Sequence, residues 1–265
     1  MEQLEHLQSV LLTIVSDIDH LCQKYGIQYY LLGGSAIGAI RHHGFIPWDD
    51  DLDIIMDESN YRKFLQIAPQ EMDSEKYFIQ EGLRDWPLNF SKVRLKGTFY
   101  DEGLPIEEKD KDKQGIFVDI FKMDNVSSNK LRAFWQYFWA KYYLCYQLST
   151  RKEAIQSRTK LFLIALSFPL RIKPIRTFAI RQVESLNDRD TEYLGFFYGR
   201  TRWKNSIIRK DWFGTPLYVP FETIFLPVPE KCDLYLTKMF GDYMTPPPKS
   251  KQVPMHAGNI DFGKY

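Results

Sequence analysis

Residues Leu31 to Asp57 read LLGGSAIGAIRHHGFIPWDDDLDIIMD, a Gly-Gly-Ser turn followed at close range by carboxylates that alternate with apolar side chains. An extended backbone sends alternate side chains to one face, so a strand over about 51–56 turns Asp51 and Asp53 to the same side while Leu52, Ile54 and Ile55 serve a buried sheet. Two carboxylates in one small site repel each other unless a cation neutralises them. Mg²⁺ (or Mn²⁺) is the hard ion that takes carboxylates together with phosphate oxygens. Upstream, Tyr29 to Leu32 predict a short buried strand, Gly33 and Gly34 break it, and Ser35 caps a short helix that runs to Arg41. Unpaired N–H groups at such a helix start, with glycines that allow close approach, favour a phosphate. Phosphate cradle and acidic strand together are the chemistry of a metal-dependent phosphotransferase. A solvated acidic turn, the plainer reading, explains neither the Leu-Ile-Ile run nor the glycines.

The rest of the chain bounds that reading. With 265 residues, of which 44% are hydrophobic, it can bury a substantial core in one large or two small domains. The net charge of +1 supplies no global basic field for nucleic acid, and none is expected as a partner. Cys22, Cys145 and Cys232 lie far apart without metal-ligand spacing, which suits reduced, mostly buried thiols in a cytoplasmic setting. The N-terminus MEQLEHLQSVLLTIV lacks a basic region before an apolar run and does not read as a signal peptide. Leu4, Leu7, Leu11, Ile14, Val15, Ile18 and Leu21 recur at helical spacing, and Gly26 lies where that helix would end. Further strands are predicted near 76–81, 89–96 and 115–121, a helix near 58–68, and a solvated loop over Asp101 to Gln114. Strands and helices mixed around a small sheet indicate an α+β or α/β fold.

Four segments carry a resemblance. GGSAIGAIRHHGFIPWDDDLDI, NFSKVRLKGTFYDE (Asn89 to Glu102), GIFVDIFKMD (Gly115 to Asp124) and FGDYMTPPPKSKQVPMH (Phe240 to His256) resemble the LicD family, and more distantly the ribitol-phosphate transferases of the fukutin type. The resemblance implies an α+β, nucleotidyltransferase-like fold: a small mixed sheet flanked by helices, with an added helical region. It implies transfer of phosphocholine from CDP-choline to a sugar hydroxyl of a cell-surface glycan precursor of the teichoic acid or lipopolysaccharide type. Another CDP-linked alcohol, phosphoethanolamine or ribitol phosphate, is the alternative donor group; a glycan-binding protein that kept the shape without catalysis is the alternative class. The expected division is a catalytic core over 1–127, a basic aromatic helical region over 128–190, and a C-terminal part over 191–265 that packs back and completes the site.

Site residues follow from these segments. Asp119 is an acid alone in the apolar run Phe117 to Phe121, where an uncompensated charge would be costly. A role as third metal ligand beside Asp51 and Asp53 removes that cost, and in nucleotidyltransferase-like sites such a carboxylate completes the set or acts as base. Asp49 and Asp50 rank below them. Lys92 and Arg94 alternate on one strand and, with Arg41 beyond the glycine turn, are the candidate clamps for a diphosphate. His256, in the family-like C-terminus, is a weaker candidate for the phosphate or the acceptor. A choline head would need an aromatic cage, but 16 Tyr and 19 Phe are too many to single one out.

Charge is unevenly spread. Between Lys130 and Gln182 eleven Lys or Arg face a single acid, Glu153, leaving this segment +10 and the remainder −9. Phe134, Trp135, Tyr137, Phe138, Trp139, Tyr142, Tyr143 and Tyr146 lie among them. Two readings stay open: a buried helical hairpin with solvated charges, or a surface that adsorbs to anionic lipid on the inner face of the plasma membrane, near a lipid-linked oligosaccharide acceptor.

Overall fold

A computed structural model describes residues 2–86, 88–102, 113–150, 158–198, 201–254 and 258–265. The expected N-terminal helix is α1 (Glu2–Tyr25), whose buried stripe is Leu7, Val10, Leu11, Ile14, Val15, Ile18 and Leu21. Gly26 ends it at φ +58°, and the Ile27 N–H returns to the Cys22 carbonyl at 2.8 Å. The chain then forms β1 (Tyr30–Leu31), α2 (Gly33–His42), β2 (Asp53–Asp57) and α3 (Glu58–Glu71). The Asp57 carboxylate caps α3 by accepting the Asn60 N–H at 2.8 Å. Next come β3 (Tyr77–Gln80), β4 (Ser91–Leu95), β5 (Phe99–Tyr100) and β6 (Phe117–Val126).

These strands build one mixed sheet in the order β1-β2-β6-β4-β3. The β2–β6 pair is parallel, and the β1–β2, β6–β4 and β4–β3 pairs are antiparallel. One face of β6 presents Val118, Ile120 and Lys122, the last of which meets Glu58 at the start of α3; α1 and α3 pack against the sheet there. The other face presents Phe117, Asp119 and Phe121, and this is where the acidic residues gather.

Beyond β6 run α4 (Lys130–Thr150), α5 (Arg158–Leu166) and α6 (Lys173–Val183). The chain then returns through β7 (Tyr193–Gly195), α7 (Trp203–Ser206) and β8 (Ile207–Arg209). β7 pairs antiparallel with the far end of β6 and with β8, so residues well past 127 extend the same sheet. The hairpin β9 (Leu217–Phe221) and β10 (Ile224–Val228), with α8 (Cys232–Phe240), packs around α2 and the β1 edge. Finally β11 (Ile260–Asp261) pairs with β5. Helices and a small mixed sheet make this the α+β fold expected. Cys22 and Cys232 are buried free thiols, and burial pushes both up. No described helix is long and apolar enough to cross a membrane.

Candidate active site

Three adjacent strands place Asp53, Asp119 and Lys92 side by side, since Asp53 is the register partner of Asp119 on β6, and Asp119 that of Lys92 on β4. Directly opposed residues share a sheet face and stand about 5 Å apart, so the three form one short row. The Lys92 ammonium, 2% exposed, lies 2.8 Å from Asp119 Oδ1 and 2.9 Å from Glu102 Oε1. It also rests over the Phe117 ring, 3.1 Å from its centroid. Arg94, on the same face, donates to the other Glu102 oxygen at 2.5 Å, to Gln80 Oε1 at 2.8 Å and to the Gly115 carbonyl at 3.1 Å. At 1% exposure Arg94 braces Glu102, and the guanidinium named as a diphosphate clamp is engaged by protein partners. Lys92 likewise faces carboxylates first.

The acids outnumber those cations. Asp49, Asp50 and Asp51 lie just before β2, with carboxylate oxygens all within 4.8 Å of one another. Asp51 is therefore next to the strand rather than on it, and the lower rank given to Asp49 and Asp50 does not hold for position: the three form one group. Asp49 also explains Gly34. A β-carbon there would stand 2.8 Å from Asp49 Oδ2, so only glycine admits that carboxylate. Burial first, then the charges of Asp51 and Asp119, push the Asp53 carboxyl well above the usual range against the pull of Lys92. Burial likewise raises Asp119 to about 6 although Lys92 stabilises its charge. Glu102 goes the other way: burial opposes ionisation, but Lys92 and Arg94 together hold it down at about 2. An all-oxygen donor set of this kind suits a hard divalent cation, which would relieve the repulsion that raises Asp53.

The glycine turn works differently from the expectation. Leu32, not Ser35, is the N-cap residue of α2, and it offers no side-chain bond. Ser35 lies in the first turn, and its Oγ accepts the Asp53 N–H at 2.9 Å. The Gly33 N–H, at φ +55°, is donated to the Tyr235 hydroxyl at 3.2 Å, and those of Ser35 and Ala36 return to the Leu32 carbonyl. Three of the first four N–H groups thus have partners inside the protein, so the turn secures the backbone of Asp53 more than it opens a phosphate cradle. Arg41 lies eight residues further on, about 12 Å along the helix axis, and donates to the Tyr243 carbonyl at 2.6 Å. It is not gathered into the row. His256 lies outside the described residues.

Comparison with known proteins settles what this arrangement belongs to. The family model described as LicD/FKTN/FKRP, nucleotidyltransferase domain, matches residues 26–160, a span that includes Asp49, Asp50, Asp51, Asp53, Glu102 and Asp119. The lipopolysaccharide cholinephosphotransferase LicD of Haemophilus influenzae is 31% identical over 96% of this chain and 96% of its own. The chain belongs to the LicD family. Two uncharacterized Rickettsia proteins match a shorter stretch, 42% identical (R. typhi) and 40% identical (R. prowazekii) over 22% of this chain and 18% and 21% of theirs. As a LicD family member it is an enzyme, a phosphotransferase.

Within the LicD fold three further residues join the site that sequence reading passed over. Tyr100 is buried among carboxylates: after burial itself, Asp50, Asp51, Glu102 and Asp119 all raise its hydroxyl. Glu102 pairs with both strand cations. Tyr235 comes from α8, some 200 residues away, and holds Gly33. Tyr100 and Glu102 had a signal, since both close the family-like segment from Asn89; Tyr235 had none, because only the tertiary fold brings α8 to the turn.

Proposed function

We propose that this chain transfers phosphocholine from CDP-choline to a sugar hydroxyl of a lipid-linked glycan precursor, of the lipopolysaccharide or teichoic acid type, with Mg²⁺ (or Mn²⁺) as cofactor. The observation that carries the proposal is the row Asp53, Asp119 and Lys92 across three strands, with Asp51 beside it. Support for the transferred group and for a lipopolysaccharide-type acceptor comes from the named activity of the Haemophilus relative, which aligns over nearly the whole of both chains.

In this reading Asp51, Asp53 and Asp119 would hold the ion. When bound, it supplies charge neutralisation for the donor diphosphate and the departing CMP. The chain's own residues set up that site. Ser35 and the Leu32 N–H fix the Asp53 backbone from both sides, the latter donating to the Asp53 carbonyl at 2.9 Å. Lys92 orients Asp119 and stabilises its charge, and Glu102 with Arg94 holds Lys92 in place. The acceptor hydroxyl attacks the choline-bearing phosphorus, forming the new O–P bond as the P–O bond to CMP breaks, and the hydroxyl proton passes to the departing CMP phosphate.

The test is release of CMP from CDP-choline in the presence of an oligosaccharide acceptor, with and without Mg²⁺. Activity should vanish in EDTA and in Asp51→Asn while the fold persists. Undiminished turnover in either condition overturns the metal mechanism. Side-by-side assays of CDP-ethanolamine and CDP-ribitol identify the transferred group; faster turnover of either would replace phosphocholine in the proposal.

A further inference from the structure

Helix α4 is built inside out. Its buried positions are Ala133, Gln136, Ala140, Tyr143 and Gln147, which recur at helical spacing along one side. The opposite side carries Leu131, Phe134, Trp135 and Phe138, exposed by 83%, 54%, 47% and 45%. A helix that packs in water hides its apolar stripe and shows its polar one. Here a wholly buried glutamine secures the arrangement: Gln136 Nε2 donates to the Asn125 and Val183 carbonyls at 2.9 and 2.8 Å, and its Oε1 accepts the Ser127 N–H at 3.2 Å. The helix cannot rotate its aromatic side inward without breaking all three bonds.

The stripe continues onto its neighbours. Phe138 stacks on Tyr142, whose hydroxyl donates to the Leu166 carbonyl at the end of α5. On α5 and just beyond it, Phe162, Leu166 and Phe168 are exposed by 63%, 51% and 62%. Trp135 and Trp139 reach α6 through Gln182 and Phe178. Exposed Lys130, Arg132, Arg158, Lys173 and Arg181 lie on the same helices, and exposed Arg171 lies between α5 and α6.

We propose that α4 to α6 form an interfacial membrane-binding surface for anionic lipid. Charge decides between the candidate occupants. A two-fold contact of this face with itself would bring Lys130, Arg132, Arg158, Arg171, Lys173 and Arg181 against the same residues of a second copy, which repels. A bilayer with anionic headgroups meets the basic residues with opposite charge and receives Trp, Tyr and Phe at the depth those rings prefer. The proposal does not depend on the identity of the donor or on the metal.

The full chain is to be co-sedimented with vesicles of phosphatidylcholine alone and with about a quarter phosphatidylglycerol. Binding is expected with the anionic vesicles, falling as salt rises and by about five-fold for each basic residue neutralised among Arg132, Arg171 and Lys173. Phe138→Ser, at an exposed position that leaves the fold intact by circular dichroism, should weaken it again, and Trp135 fluorescence should shift to the blue on binding. Equal pelleting of wild type and the charge variants overturns the proposal. So does concentration-dependent dimerisation that Phe138→Ser abolishes, which would give the face to a second copy.

Discussion

Strand β6 carries two buried lysine clusters on its opposite faces, and they are built to different rules. On one face Lys122, 4% exposed, lies 2.6 Å from Glu184, 3.0 Å from Glu58 and 3.1 Å from Asp124. Burial disfavours its charge, yet the three carboxylates raise it well above the ordinary lysine range. Arg62 joins Glu58, and Asn187 donates to Asp124 at 2.7 Å, so the cluster ties α3, β6 and the end of α6 together through paired charges. On the other face Lys92 and Arg94 meet Glu102 and Asp119, but there Asp49, Asp50 and Asp51 gather as a group, and burial and the neighbouring carboxylates push Asp53 and Asp119 up in spite of Lys92. A cluster of paired charges serves stability. A cluster whose carboxylates repel one another costs stability, and that cost is tolerated where a ligand of opposite charge relieves it.

The largest effect that would sharpen this contrast is on catalysis. Asp53→Asn should lower CMP release about a thousand-fold, while the thermal midpoint of the metal-free protein holds or rises because one repelling charge is gone. A fall in midpoint would mean that Asp53 belongs to a paired cluster after all. Lys122→Met should do the reverse. It strands three carboxylates without their cation and should cost about 3–5 kcal/mol in denaturant unfolding, with turnover per folded molecule preserved. An unchanged midpoint there would remove the structural half of the comparison.

Acidity separates the two faces next. Asp119 titrates at about 6 in the fold against an ordinary 3.8, so the folded state binds its proton more tightly. The resulting stabilisation is complete below the unfolded value and is lost as pH rises through about 6. Metal-free protein should therefore become more stable as pH falls from 7 to about 5, and Asp119→Asn should flatten that slope in thermal scans. Glu102 has the opposite sign: its contribution is present above about 4.5 and is lost as pH falls toward about 2. A smaller effect is expected at Gln136→Leu, which removes the tether of α4 and should cost about 1–3 kcal/mol, measured by urea unfolding, without altering the carboxylate site.

Sequence pattern located the acids and the sheet because both rest on local periodicity. Apolar recurrence marked α1, alternation marked β4 and the start of β6, and the Asp-rich run before Ile54 marked the site. Local pattern also assigned Ser35 to a cap, although the chain starts α2 two residues earlier and spends that hydroxyl on Asp53, a partner eighteen residues away. It read Lys92 and Arg94 as a clamp pair on one face, because alternation specifies a shared face but not what covers it. Glu102 covers them, and its place depends on the path of the chain after β5.

What the sequence by itself determined is the set of chemical groups, the periods that make helices and strands, and the family. The tertiary structure alone decided which charges meet. Lys92 and Lys122 look alike in an alternating strand; pairing of β4 with β6 puts one beside Asp119, and packing of α3 and α6 surrounds the other with Glu58 and Glu184. The physical reason is that charge interactions act over a few ångströms of space, whereas the sequence records only distance along the chain.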